Sequence, residues 1–181
     1  ASVRALLSPY QTRYNKTQPG GYKPAGHGLA FNKQEQNLAN LSIGNIPSYW
    51  AERDANAPAI THEGRTVSRA EFDSRTNRLA RAYQALGVEK GDLVTIGLPN
   101  GIEFYEAAFA VWKLGATPQP VSAKLPHVER QAIIEVANAK LVIGAEPGAH
   151  GDVTCIAAGF EPDAALSDEA MPEVICDNWK A

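Results

Sequence analysis

The chain has 181 residues, which is long enough to bury the core of one ordinary domain. Apolar residues make up 44%, charged residues 20% and the formal net charge is −3, a balance typical of a globular protein. This weak negative charge offers no attraction for nucleic acid or an anionic membrane, so neither is predicted as a partner.

The cysteines and the first residues bear on the cellular compartment. Cys155 and Cys176 are too few for a disulfide framework and lack zinc-site spacing, so we interpret them as free thiols, with a single disulfide as the alternative. The apolar patch at the start meets Arg13 and Lys16 too soon for a signal peptide or a membrane span. These features predict a cytoplasmic location.

Residues 1–41 are predicted to form an extended N-terminal arm, followed by an α/β unit over residues 42–181. The stretch 8–40 is rich in Gly, Pro, Asn, Gln and Tyr and has no helical or strand period. A flexible leader is the simplest interpretation. Its aromatic side chains exceed what a disordered tail usually carries, which favours an arm that packs on the body or on another part of the protein: Tyr10, Tyr14, Tyr22 and Phe31.

A short helix and a hairpin open the regular part of the chain. Ile46, Tyr49 and Trp50 share one helical stripe, and Pro58 marks the stop after it. The segments "AITH" and "GRTVSR" then read as two paired strands with Gly64 in the turn. We therefore expect a small antiparallel hairpin.

A second helix and a buried strand follow. Ser68 and Glu71 form a capping box, and apolar residues continue at helical spacing until Gly87 ends the helix. The run "LVTIGLP" is apolar throughout and β-branched, as expected for a strand covered on both faces.

The next helix, over residues 102–114, is predicted from the sequence to have no polar side. Asn100 can cap it, with Glu103 at the third helical position, and Gly115 can end it. A helix that is apolar all round must be covered all round. One side would pack on its own sheet, and the remaining sequence is too short to cover the other, so we infer that a partner surface lies outside this chain.

The later elements alternate in the same way. "ATPQPVS" predicts a strand that Pro118 and Pro120 restrict to a short or edge position. "HVERQAIIEVANA" predicts a helix that starts at Pro126, and "KLVIGA" and "VTCIAA" predict two more strands. This order predicts an α/β fold, a mainly parallel sheet with helices on both faces.

Motifs for nucleotide or metal chemistry are missing from the sequence. Neither GxxxxGK[ST] nor GxGxxG occurs, and "LPNGIEF" is better explained by helix capping than by phosphate binding. The histidines occupy separate segments without ligand spacing and are predicted to lie in loops or on the surface: His27, His62, His127 and His150. Ser122 and Lys124 are one residue too close for an SxxK nucleophile pair.

The acidic residues also fall short of a catalytic arrangement. Glu71 and Asp73 point to different faces of a helix, which suits a helix start better than a carboxylate pair. The stretch 161–173 reads as a solvated acidic loop. The residues alone therefore predict an α/β scaffold without a catalytic constellation.

Three segments nevertheless resemble the N-terminal part of the adenylate-forming superfamily, which contains acyl- and aryl-CoA synthetases, adenylation domains and luciferases. They are "TVSRAEFDSRTNRLARAY", "LGVEKGDLVTIGLPNGIEF" and "FAVWKLGATPQPVSAKL", in the family's order and close to its spacing. The resemblance spans about residues 45–181 and stops near the point where the family's phosphate motif would begin.

The resemblance implies a two-step reaction. A carboxylic acid attacks the α-phosphate of MgATP to give an acyl-adenylate, and a thiol, usually that of coenzyme A (CoA), then displaces AMP. ATP, Mg²⁺ and CoA would be bound by the full-length enzyme, with none expected on this segment alone. The implied partners are the remainder of the same ligase, a small carboxylic acid and, as a possibility, a second copy of the chain.

Lys124 is the one candidate ligand-binding residue that the resemblance supplies. CoA ligases tend to carry Asn-Pro-Arg where this chain has Ser122, Ala123 and Lys124, and the basic residue is similar in position to one that approaches the nucleotide phosphate of CoA. A lysine can serve there as a point charge. A solvated lysine at a strand end is the alternative.

The resemblance leaves three functions open. The first is an acid–CoA ligase represented by its N-terminal part, inactive as an isolated segment. The second is an adenylating enzyme that loads a carrier protein. The third is a non-catalytic α/β interaction module.

Overall fold

The computed structural model describes residues 41–174, which form a parallel four-stranded sheet between helices and a separate two-stranded hairpin. The predicted N-terminal arm and Cys176 lie outside the described residues. The helices and strands follow in this order: α1 (Ile46–Ala51), β1 (Pro58–His62), β2 (Arg65–Ser68), α2 (Arg69–Ala85), β3 (Leu93–Ile96), α3 (Ile102–Lys113), β4 (Thr117–Pro120), α4 (His127–Ala137), β5 (Leu141–Ile143) and β6 (Thr154–Ile156).

Local signals place most of these elements where the sequence predicts them. The Ser68 hydroxyl accepts a hydrogen bond from the Glu71 amide at 3.2 Å, while the Glu71 carboxylate accepts one from the Ser68 amide at 2.8 Å. This capping box begins α2 and holds the pKa of Glu71 below its ordinary value. Strands β1 and β2 pair antiparallel on either side of Gly64.

The predicted cap of α3 is wrong. The residue that caps this helix is Gly101, and no side chain supplies a capping hydrogen bond, so Asn100 does not have that role. Glu103 instead turns its carboxylate to the segment after β6, where it accepts a hydrogen bond from the Gly159 amide at 2.6 Å. The Glu103 carboxylate is therefore bound to a distant backbone donor and does not act as a local cap.

The sheet has the order β4-β3-β5-β6, and all its pairs are parallel. The chain passes from β3 to β4 through α3 and returns through α4 to β5 on the other side of β3. Because such crossovers are right-handed, the reversal puts α3 and α4 on opposite faces. Val94 and Leu141 accordingly pack with α2 and α3, whereas Val142 packs with Ile134 of α4. The predicted fold class is confirmed, with β4 at an edge.

Helix α3 is not apolar all round, which corrects the expectation from its sequence. Glu106 is 3% exposed and Lys113 is 2% exposed, and both face polar partners on α2. Tyr105, by contrast, is 45% exposed, and Phe109 and Trp112 are half-buried. The helix therefore has a buried polar side against α2 and an apolar flank that the described residues cover only in part.

The acidic stretch 161–173 is a loop, as predicted, but much of it is tied to the outer side of α2. Arg75 forms a two-pronged ion pair with Glu161 at 2.5 and 3.0 Å, and Arg78 pairs with Asp168 at 2.7 Å. Three apolar side chains of the same segment and its start pack against the main core: Phe160, Leu166 and Met171. The loop is bound to α2 and not fully solvated, because Arg75 and Arg78, to which the sequence analysis assigned no role, pair with its carboxylates.

Candidate functional site

The candidate site lies at the carboxyl ends of the parallel strands, where ligands bind in open α/β sheets. The connections that leave β3 and β5 run to opposite faces of the sheet, so a crevice opens between the ends of these two strands. A cavity of ≈ 420 Å³ lies at this edge, and we call it the edge cavity. Its lining includes Leu125, His127, Arg130, Gly144 and His150.

Two glycines bring the ends of β3 and β5 into close contact. The Gly97 amide donates to the Ile143 carbonyl of β5 at 2.8 Å, and the Gly144 amide continues the pairing to β6 by donating to the Ile156 carbonyl at 2.8 Å. A Cβ atom placed on Gly144 would lie 2.8 Å from the Gly97 carbonyl oxygen. The backbones of Gly97 and Gly144 therefore approach to a separation that a side chain on Gly144 would prevent.

A pair of stacked histidines forms one wall of the edge cavity. The rings of His127 and His150 lie 4.8 Å apart and almost parallel. The His127 Nε2 atom lies 2.7 Å from the Ala149 carbonyl oxygen, and the His150 Nδ1 atom lies 2.8 Å from the Gln131 Oε1 atom. Because both oxygens only accept hydrogen bonds, these two ring nitrogens carry the protons.

The sequence does not predict this pairing, although the expected loop or surface positions hold for the described histidines. His62 lies exposed in β1 and His27 lies outside the described residues, but His150 is 2% exposed and fixed against the start of α4. Burial lowers the pKa of His150, and the neighbouring His127 and Arg130 lower it further. The stack thus holds a neutral imidazole at the crevice.

We expect the stability of the chain to depend on pH through His150. Because its folded pKa is lowered, the unfolded chain binds the proton more readily, so the stabilisation is complete above pH about 6.5 and is lost as the pH falls through the folded pKa. Urea unfolding of the wild type and of His150→Gln between pH 8 and 5 should show a difference that shrinks towards low pH. Parallel profiles would contradict this expectation, and the difference at pH 8 gives the packing cost of the substitution.

Lys124 lies exposed in the loop between β4 and α4, on the same edge of the sheet. Its amide donates to the Ser122 hydroxyl at 3.2 Å, which forms a tight turn. The interaction is between backbone and hydroxyl, and the described residues show no hydrogen bond between the Ser122 hydroxyl and the Lys124 amine. The structure thus places both residues in the loop after β4 without forming a nucleophile and base from them.

A buried polar cluster between α2 and α3 is the main feature that the sequence reading missed. The Lys113 side chain is fully buried. Its amine donates to Asp73 at 2.8 Å, to Asn77 at 2.7 Å and to Ser48 at 3.2 Å. Burial lowers the pKa of Lys113, while the Asp73 carboxylate opposes that shift. The cluster joins α1, α2 and α3 and lies away from the edge cavity.

The signal for this cluster was the spacing of Glu106 and Lys113, which are seven positions apart and so share one face of a helix. Glu106 accepts a hydrogen bond from the Arg75 Nε atom at 2.8 Å. Two charged side chains on the same buried face of a helix need polar partners on a neighbouring element. Asp73 and Arg75 of α2 provide it.

The exposed flank of α3 faces an apolar cleft of ≈ 500 Å³ between α1, the hairpin and α2. Its lining is mainly aromatic and aliphatic and includes Trp50, Phe72, Tyr105 and Phe109.

Among residues 41–174, no group of three or more His, Cys, Asp or Glu side chains is arranged to hold a metal ion. None of the helices in that range is long and apolar enough to cross a membrane.

Comparison with known proteins gives a consistent set of relatives. The model of the AMP-binding enzyme family matches residues 48–178. The chain is 45% identical over 80 residues to 2,3-dihydroxybenzoate-AMP ligase of Bacillus subtilis, covering 44% of this chain and 15% of that protein. It is 37% identical over 84 residues to surfactin synthase subunit 3 of the same species, covering 44% of this chain and 7% of that protein.

A solved structure shows the same likeness in three dimensions. The fold is similar to that of a Mycobacterium tuberculosis fatty acyl CoA synthetase, with a TM-score of 0.62 and 25% identity over 75% of this chain and 30% of the other. The chain therefore spans less than a third of each of these relatives.

Proposed function

The chain belongs to the family of AMP-binding, adenylate-forming enzymes, and from this premise we propose that it is the N-terminal part of an ATP-dependent acid–CoA ligase. Such a ligase converts a carboxylic acid and ATP to an acyl-adenylate, from which CoA takes the acyl group. The exposed cationic Lys124 at the carboxyl edge of the sheet is the observation that carries the CoA assignment. The likeness to a fatty acyl CoA synthetase supports it.

The residues of this chain fit a contact with CoA better than a complete ATP site. CoA supplies the thiol that displaces AMP, and Lys124 would contribute a positive charge to one of its phosphates. The described residues contain no phosphate-binding loop and no metal-binding group, so the contacts for ATP and Mg²⁺ are assigned to the remainder of the enzyme.

The proposal has further parts. The remainder of the same ligase would cover the apolar flank of α3 beside Tyr105 and Phe109. A second copy of the chain is a further proposed partner.

The proposed cytoplasmic location rests on the interpretation of the cysteines as free thiols, of which Cys155 is a buried thiol in the structure. Residues 1–41 are proposed to be an arm outside the α/β unit, with no assigned function.

A second candidate is an adenylating enzyme that loads a carrier protein, and the identity with surfactin synthase subunit 3 favours it. Exchange of labelled pyrophosphate into ATP in the presence of a carboxylic acid tests adenylation by the complete enzyme. Thioester formation with CoA then supports the ligase, whereas acylation of a carrier protein alone supports the second candidate. No acid-dependent exchange with any of a broad panel of acids would reject both.

Replacing Lys124 with Ala in the complete enzyme should raise the apparent KM for CoA by about tenfold, because a hydrogen bond to a charged group contributes about 1.5 kcal/mol. The KM for ATP should change much less. Steady-state thioester formation measures both. Lys140→Ala, an exposed lysine at the opposite end of the sheet, is the matched control. Equal changes for CoA and ATP, or none, would reject the role of Lys124.

A further inference from the structure

Arg130 has a role that neither the family match nor the sequence reading assigns. It lies in the first turn of α4, and its guanidinium folds back over the loop that precedes the helix. Its Nη2 atom donates to the Ala123 carbonyl at 2.9 Å and to the Leu125 carbonyl at 3.3 Å. These two carbonyls belong to the residues on either side of Lys124.

The loop depends on this arginine because its own hydrogen bonds are few. Within the turn, the Lys124 amide donates to the Ser122 hydroxyl and the Leu125 amide donates to the Ser122 carbonyl at 3.0 Å. Pro126 follows and has no N–H to donate. A planar guanidinium can satisfy two carbonyls from one nitrogen in a fixed geometry, which a lysine amine on a flexible chain does less well.

The other side of the guanidinium faces the crevice. A Cβ atom on Gly97 would lie 3.7 Å from the Arg130 Nη1 atom, so the side chain packs against the end of β3. Arg130 also lines the edge cavity, and its buried Nε atom has no hydrogen-bond partner among the described residues. The arginine therefore links the end of the central strand to the loop that carries Lys124.

We propose that Arg130 is a positioning residue for Lys124: it fixes the loop between β4 and α4 so that the Lys124 amine stays at the carboxyl edge of the sheet, where the phosphate of CoA is recognised. This inference rests on the proposed CoA ligase function. Arg130 acts through the loop backbone and does not itself contact CoA.

The test uses Arg130→Met and Arg130→Lys in the complete enzyme. Arg130→Met should raise the KM for CoA about five- to tenfold, similar to the loss of one charged contact, and change the KM for ATP in acid-dependent pyrophosphate exchange much less. Arg130→Lys should restore part of the CoA affinity, because an amine can still donate to one of the carbonyls. In a Lys124→Ala background, Arg130→Met should have no further effect on the KM for CoA. An equal effect with and without Lys124 would overturn the proposal.

A second measurement does not depend on the reaction. Amide hydrogen exchange of residues 121–125 should become faster in Arg130→Met than in the wild type, with β3 and β5 unchanged. Unchanged exchange in the loop would overturn the positioning role even if the kinetics change. Should the wild type form no thioester with CoA, the proposed function fails, and faster exchange in the loop would still support control of the loop by Arg130.

Discussion

Replacing Lys113 with Met will lower the free energy of unfolding by about 3 kcal/mol, the lower end of the range for breaking a buried ion pair by removing one partner. The lysine side chain is fully buried and its partner Asp73 is 15% exposed. The substitution leaves the Asp73 carboxylate without its cation and Asn77 Oδ1 without its donor. The partial exposure of Asp73 allows some hydration, which is why we expect the lower end. Urea unfolding of the chain measures the loss.

A second substitution distinguishes the two causes of this loss of stability, the unpaired Asp73 carboxylate and the lost packing of the lysine side chain. Asp73→Asn in the Lys113→Met background removes the unpaired charge and should recover more than half of the lost stability. Lys140→Met, at an exposed position, should change stability by less than about 0.5 kcal/mol. If the double variant is as unstable as Lys113→Met alone, lost packing and not the unpaired carboxylate causes the effect.

The Lys113 cluster also shows which part of the fold a sequence can predict. The elements that carried local signals were predicted correctly: the capping box at Ser68 began α2, and the prolines in β4 restricted that strand to an edge. These signals act between neighbouring residues, so one sequence contains all the information for them. The alternation of helices and strands then determined the parallel sheet and the sides on which its helices pack.

The errors arose where a side chain has its partner on another element. The sequence analysis treated α3 as apolar all round and assigned no role to Glu106 or Lys113, because their partners lie on α2, more than thirty positions away. His127 and His150 meet only because the segment after β5 returns to the start of α4. The spacing along the chain predicts neither contact. The role of Lys124 came from the family resemblance and stays a prediction, and the histidine stack and Arg130 required the structure.

Replacing Gly144 with Ala should destabilise the chain by roughly 2–5 kcal/mol, because two costs add at one position. Gly144 has a φ of +88°, a left-handed conformation that costs other residues roughly 1–2 kcal/mol. Its new Cβ atom would also lie 2.8 Å from the Gly97 carbonyl oxygen, and overpacking of this kind typically costs about 1–3 kcal/mol. The end of β3 cannot retreat without straining the hydrogen bond from Gly97 to Ile143.

Two other glycines separate these costs by urea unfolding. Gly148 has a φ of +80° but open space around it, so Gly148→Ala should show the conformational cost alone, roughly 1–2 kcal/mol. Gly97 has no such φ and no neighbour nearer than 3.6 Å, so Gly97→Ala should stay within about 1 kcal/mol of the wild type. If Gly144→Ala costs no more than Gly148→Ala, the close contact of β3 and β5 is not a rigid constraint. A larger cost, with faster hydrogen exchange at the Gly97 amide, would mean that this backbone contact holds the crevice at its width.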